Sequence, residues 1–352
     1  MALRRRLPSL ALTAASVGAL AWLVVAQHDQ LGRAIAGIGH ARARLIVAAI
    51  VCERVSMFSL ARMQRRLLPD RGQHLTLLSV IGITFAGNAL SLSVPVAGPG
   101  LGAAFSFREF ERHQVSRPAA GFALAVSGVL STLSLMVIVA GGALASGNAV
   151  AGTFGLLGAA AVAAGIAVAV LGLRVPACRR LVERLAVSSV RVAQRIRRKP
   201  GEPPEAVVAQ ARRHLADLHL RLSDWAAAAG LALLNWLGDA ACLALSIRAA
   251  GLPIPLRNLL LVWSAGSAAG SIGLTPGGVG IVEVALVAAL TGTGAPAAGA
   301  TVAVMIYRLI SFWLVLLVGW IFFTVIRFRR PRRAAVRVES GSTAEPGLPD
   351  SD

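Results

Sequence analysis

Apolar runs of membrane-crossing length recur along most of this chain. The first occupies 7–26, directly behind Arg4, Arg5 and Arg6. Others lie at about 45–63, 75–95, 119–145, 152–173, 225–249, 258–274, 279–294 and 300–326. A spanning helix needs about 20 apolar residues. In hydrocarbon every backbone N–H and C=O must bond within the protein, so such runs fold as helices. An all-α polytopic membrane protein is the expected fold class.

Composition agrees. Charged residues make up 14% of the 352 positions and hydrophobic ones 56%, with a mean hydropathy of +0.70. A soluble domain carries roughly 25% charged residues, so a cytosolic globular protein is excluded, as is disorder over most of the length. The net charge is +19, nearly all from arginine, with Lys199 the only lysine. In a soluble protein this would suggest nucleic acid. Here the arginines sit between apolar runs, where they read as cytoplasmic flanking charge, and no nucleic acid partner is expected.

The run at 7–26 exceeds the roughly 7–15 residues usual in a signal peptide, so it reads as a retained first helix. Basic flanks at the N-terminus, at Arg62, Arg65, Arg66 and Arg71, across 174–221, and at Arg327, Arg329, Arg330, Arg332 and Arg333 all point to the cytoplasm. The chain is therefore expected in a membrane with both termini on the cytoplasmic side. Arg33, Arg42 and Arg44 run against this pattern.

That orientation holds only if two apolar pairs each return to the side they started from. Both pairs are interrupted by helix breakers. Pro95, Gly98, Pro99, Gly100 and Gly102 interrupt the first, and Pro276, Gly277, Gly278 and Gly280 the second. Two re-entrant hairpins satisfy the parity, one near 75–107 and one near 258–294. Pro95 lies 50 residues after position 45, and Pro276 lies 50 after position 226. A long apolar run follows each proline 24 residues on, at 119 and at 300. Two inverted repeats are expected, with a transport site between the broken segments. The chain then divides into a first helix and loop (1–44), a first membrane unit (45–173), a basic cytoplasmic helical linker (174–223), a second membrane unit (224–326), and a basic, then disordered, tail (327–352).

An ionisable group within a membrane segment costs roughly 2.5–3.5 kcal/mol on insertion scales, so each needs a partner or a purpose. The candidates are Glu53, Arg54, Asp239, Glu283 and Arg308, joined by the uncharged Asn88 and Asn235. Glu283 stands just after the second break, where a new helix favours a carboxylate. Arg308 lies beside Tyr307, the only tyrosine, and pairing with Glu283, Asp239 or a lipid phosphate would satisfy it. Free N–H groups at each restarted helix also suit an anion, and a phosphate-bearing amphiphile is the ligand class these features imply. The sequence contains no HExxH, GxSxG, P-loop or CxxC motif. Neither enzyme chemistry nor a metal or cofactor is expected.

The run Leu274-Thr-Pro-Gly-Gly-Val-Gly-Ile-Val-Glu283, with Tyr307-Arg308-Leu309, Phe312-Trp313 and Gly319, resembles the flippase-like transmembrane region of the lysylphosphatidylglycerol synthase family. Asn235-Trp236 with Asp239, then Ala250-Gly251 and Pro253, is similar to an actinobacterial-type branch. The resemblance covers roughly 45–326. It implies two inverted re-entrant units and lipid translocation between leaflets. Aminoacyl transfer is not implied, because a separate soluble domain carries it in such proteins and none is expected in these 352 residues. One departure stands out. Where the family often has Gly-Glu and then Arg after the first break, this chain has Gly102-Ala103, with its nearest arginine at Arg108. At the charged positions of the next helix it has Ser127, Gly128 and Ser131.

The expected function is thus movement of an anionic or aminoacylated phospholipid, or a polyprenyl-linked precursor, across the membrane. Arg308, Arg54 and the glycine-rich turns would hold phosphate, with Glu283 and Asp239 pairing with the arginines or a cationic head group, and Asn235, Tyr307 and Asn88 lining the path. The alternatives are a non-transporting scaffold or accessory subunit of a cell-envelope enzyme, and a small-solute transporter. Homo-oligomerisation and a cell-envelope enzyme partner both stay open.

Overall fold

A computed structural model describes residues 42–68, 75–147 and 221–328, with scattered positions between 153 and 209. The first helix, most of the linker and the tail after 328 lie outside the described residues.

Eight helices account for the described segments, labelled here in chain order, and no strand occurs among these residues. They are α1 (Ala43–Arg66), α2 (Leu77–Ser93), α3 (Gly98–Arg112), α4 (Arg117–Ala145), α5 (Leu222–Ala249), α6 (Leu259–Ser271), α7 (Ile281–Gly292) and α8 (Ala297–Phe328). Three of them, α4, α5 and α8, are long and apolar enough to cross a membrane. The shorter α2 and α6 are followed at once by a second helix.

Both interruptions have one local cause. The residue before a proline is driven out of the helical region by the pyrrolidine ring. Val94, before Pro95, has φ −120° and ψ 123°. Thr275, before Pro276, has φ −117° and ψ 154°. Each helix has ended by that point. The first break is narrower than the sequence suggests, because Gly98, Pro99, Gly100 and Gly102 lie inside α3 and do not interrupt it. Proline is tolerated in a first turn, where its missing N–H has no acceptor to reach. The second break spans 272–280 and contains a single 3₁₀ turn, Pro276–Gly278.

α1 packs along the full length of α5. The approach is close because Gly238 faces Cys52 and Ser56, where a Cβ would stand 3.0 Å from the Cys52 carbonyl oxygen. Small residues at helix crossings are how membrane helices gain packing contacts in a lipid solvent. Asn235 pins the same interface, donating to the Ser56 carbonyl at 3.0 Å and the Ser56 hydroxyl at 2.9 Å. Trp236 reaches the other way and donates to the Ser131 carbonyl of α4 at 2.8 Å.

Around this central pair the contacts are reciprocal. α2 packs on α3 and on the C-terminal half of α8, while α6 packs on α7 and on α4. Exchanging α1–α4 with α5–α8 preserves that pattern. The two breaks also meet, since the Val96 N–H donates to the Gly273 carbonyl at 3.1 Å. Val279, in the second break, sits in a core cluster with Ala86 and Leu90 of α2 and Phe312, Leu316 and Trp320 of α8.

Candidate functional site

The second break delivers a carboxylate and an arginine to one another. Gly277 has φ +57°, a left-handed conformation open to glycine at little cost, and a side chain here would run into the Phe312 ring. Its carbonyl accepts from Arg308 Nη2 at 2.8 Å. Gly280, with φ +86°, precedes α7 and lets the helix restart. Its N–H donates to Glu283 Oε2 at 2.6 Å. Arg308 Nε donates to the other oxygen, Glu283 Oε1, at 2.6 Å. Both side chains are buried, each about 7% exposed, and the Arg308 guanidinium carbon lies 4.5 Å from the Phe312 ring centroid.

Arg308 is therefore engaged by a carboxylate, a carbonyl and an aromatic face. The restarted α7 has its anion already, because the Glu283 carboxylate occupies the place a phosphate would take. Immediately after Arg308 the helix widens into a π turn over Leu309–Leu314. Such local widening re-aims side chains and is common at functional sites.

One residue back along α8, Tyr307 opens a second polar group. Its hydroxyl lies 2.9 Å from Asp239 Oδ1 and 3.1 Å from Oδ2. Trp263 Nε1 of α6 donates to Asp239 Oδ2 at 2.9 Å. The Glu53 carboxyl of α1 lies against Asp239 at hydrogen-bonding range. Four helices thus converge on one carboxyl pair, next to the Glu283–Arg308 pair.

Several residues expected at the site stand elsewhere. Arg54 is exposed, on the face of α1 that also exposes Val47, Val51 and Val55. It shares no hydrogen bond with the cluster, and its neighbour Glu53 turns inward in its place. Asn235 spends its amide on Ser56, locking α1 to α5. The Asn88 amide lies 3.5 Å from the Met57 sulfur, a contact between α2 and α1. Gly98 and Gly102 are packed against Ser91 and Gly87 of α2, so they seat the hairpin and do not cradle an anion. Gly100 is exposed with open space before it. Pro276 and Gly278 shape the turn that holds Glu283 near Arg308, and Gly278 is buried against Val282 and Gly270. Of the two carboxylates that could satisfy Arg308, Glu283 pairs with it, while Asp239 takes Tyr307 and Trp263. Trp263 and Phe312 carry roles that nothing in their apolar surroundings announces. Glu53 was detectable as a charge in an apolar run, but not its partner.

The cluster lies within a segment that decides the family. Residues 9–319 match the family described as the lysylphosphatidylglycerol synthase TM region. The chain belongs to that family. No curated protein matches it. As a member of the lysylphosphatidylglycerol synthase TM-region family it is a membrane protein, and both the Glu283–Arg308 pair and the carboxyl pair fall inside the matched residues.

Proposed function

We propose that this chain translocates a phosphate-bearing lipid, or a lipid-linked envelope precursor, between the leaflets of a bacterial cytoplasmic membrane. In this reading it is a binding and transport protein and not an enzyme. The observation that carries the reading is the Glu283–Arg308 pair at a restarted helix, beside the point where the two breaks touch. A lipid phosphate can take the Glu283 position one anion for another. The Gly280 N–H and Arg308 would then be compensated throughout, and Arg308 would never be left as an uncompensated buried charge. The released Glu283 carboxylate would be free for a cationic head group.

Architecture supports the same reading. The helix pairs α2–α3 and α6–α7, each split by a proline, stand at corresponding positions of two units whose contacts are reciprocal. Broken helices at matched positions mark transport sites in many carriers. In our reading these are two re-entrant hairpins of opposite orientation, with both termini cytoplasmic and the basic linker joining two membrane units.

The test is reconstitution in liposomes with headgroup-labelled anionic and aminoacylated lipids, following loss of inner-leaflet protection over time. Movement by the wild type that Arg308→Ala abolishes supports the reading. A scaffold role is the second reading, favoured by the internal pairing of Arg308 with Glu283. No movement of any lipid above protein-free liposomes would favour it.

A further inference from the structure

Among the described residues, Glu53 Oε2 is the one fully buried side-chain oxygen or nitrogen with no hydrogen-bond partner. Glu53 as a whole is about 6% exposed. An orphaned acceptor in a dry interior is costly and calls for an explanation. Its carboxyl faces the Asp239 carboxyl at hydrogen-bonding range. A carboxylate has no proton to donate, so two carboxyls bond to each other only when one of them is protonated.

Among the described residues no alternative counterion faces the pair. The groups facing the pair are Cys52 on α1, Cys242 on α5, and Tyr307 and Arg308 on α8. The two thiols and the phenol carry no positive charge. Arg308 is the only cation among them, and Glu283 already neutralises it. Buried charges in membrane segments persist only when compensated. Two ionised carboxylates in contact here would not be.

We propose that Glu53 and Asp239 form a binding site for one exchangeable proton, shared between the two carboxyls. Tyr307 and Trp263 hold Asp239 in place by donating to it, so the proton lies on the Glu53 side, where a donor is otherwise missing. Tyr307 also offers an exchange route. Its hydroxyl touches Asp239, and the Ser311 hydroxyl, half-buried in the π turn, lies beside it. The site stands whether or not the chain moves lipid. The Arg308 charge is within electrostatic reach of Asp239, so a change in the charge of the pair is felt at the neighbouring Glu283–Arg308 contact.

The experiment is infrared spectroscopy of the full chain in lipid nanodiscs at neutral pH, in H₂O and D₂O, with choline or sodium as the only monovalent cation. Wild type should show a protonated-carboxyl carbonyl band that shifts in D₂O and is unaffected by sodium. Glu53→Gln and Asp239→Asn should each lose it, since an amide can donate to the remaining carboxylate and dispense with the proton. Absence of the band in wild type overturns the proposal, whatever the variants do. So does a band that persists in both variants, or one that sodium removes, which would make the pair a metal-cation site.

Discussion

The Val96 N–H donates to the Gly273 carbonyl at 3.1 Å, joining the turn that ends α2 to the turn that ends α6. Val96 makes this contact with φ +54°, a region that β-branched residues rarely enter. The left-handed conformation costs an L-residue roughly 1–2 kcal/mol, while the side chain is 80% exposed and packs on little. Val96→Gly should therefore stabilise the protein by about 1 kcal/mol. A thermal unfolding series in detergent will show this as a higher midpoint; an unchanged or lower one would mean that the valine contributes packing.

The Glu283–Arg308 pair separates stability from function. Removing one member of a buried pair costs about 3–5 kcal/mol, while replacing both with apolar residues of similar size is often neutral or stabilising. Arg308→Ala should lower thermal stability sharply. Arg308→Met with Glu283→Leu should restore it yet leave liposome transport at background. Transport by the double variant would remove the pair from the mechanism.

Asn235 makes the opposite prediction. Among the described residues its amide donates to Ser56 alone, so Asn235→Ala should weaken the α1–α5 contact. The loss is that of a buried hydrogen-bonded group, about 1–3 kcal/mol, with lipid movement by the folded fraction unchanged. Loss of movement at full stability would place Asn235 on the substrate path.

Gly277 tests the turn. A Cβ there meets the Phe312 ring on a left-handed backbone. Gly277→Ala should displace Phe312 or the turn and break the bond from Arg308 to the Gly277 carbonyl. Because the Glu283 contact remains, the expected phenotype is reduced transport with only partial loss of stability. Fluorescence of Trp313, whose ring lies 5.1 Å from that of Phe312, should report the shift.

Much of this was legible in the sequence. The helices at 43–66, 77–93, 117–145, 222–249 and 297–328 follow the apolar runs, because in lipid a long apolar run has no other way to bond its backbone. The breaks before Pro95 and Pro276 follow from proline chemistry. Glu283 at the start of α7 follows from the restarted helix beneath it, and Glu283 was among the partners expected for Arg308.

Which way each polar side chain points was decided by tertiary structure. In a soluble protein an apolar stripe marks the inward face of a helix. A membrane helix is apolar towards both lipid and protein, so that stripe is missing. Glu53 and Arg54 are adjacent in the sequence, yet one is buried against Asp239 and the other is exposed. Packing of α1 on α5 makes that choice. Likewise the glycines at 98 and 102 could equally have cradled an anion or seated a helix, and only the position of α2 selects the second. The sequence determined the helices, the breaks and the charges that must be paired. The fold decided the pairs, because partners far apart along the chain become neighbours only when the helices pack on one another.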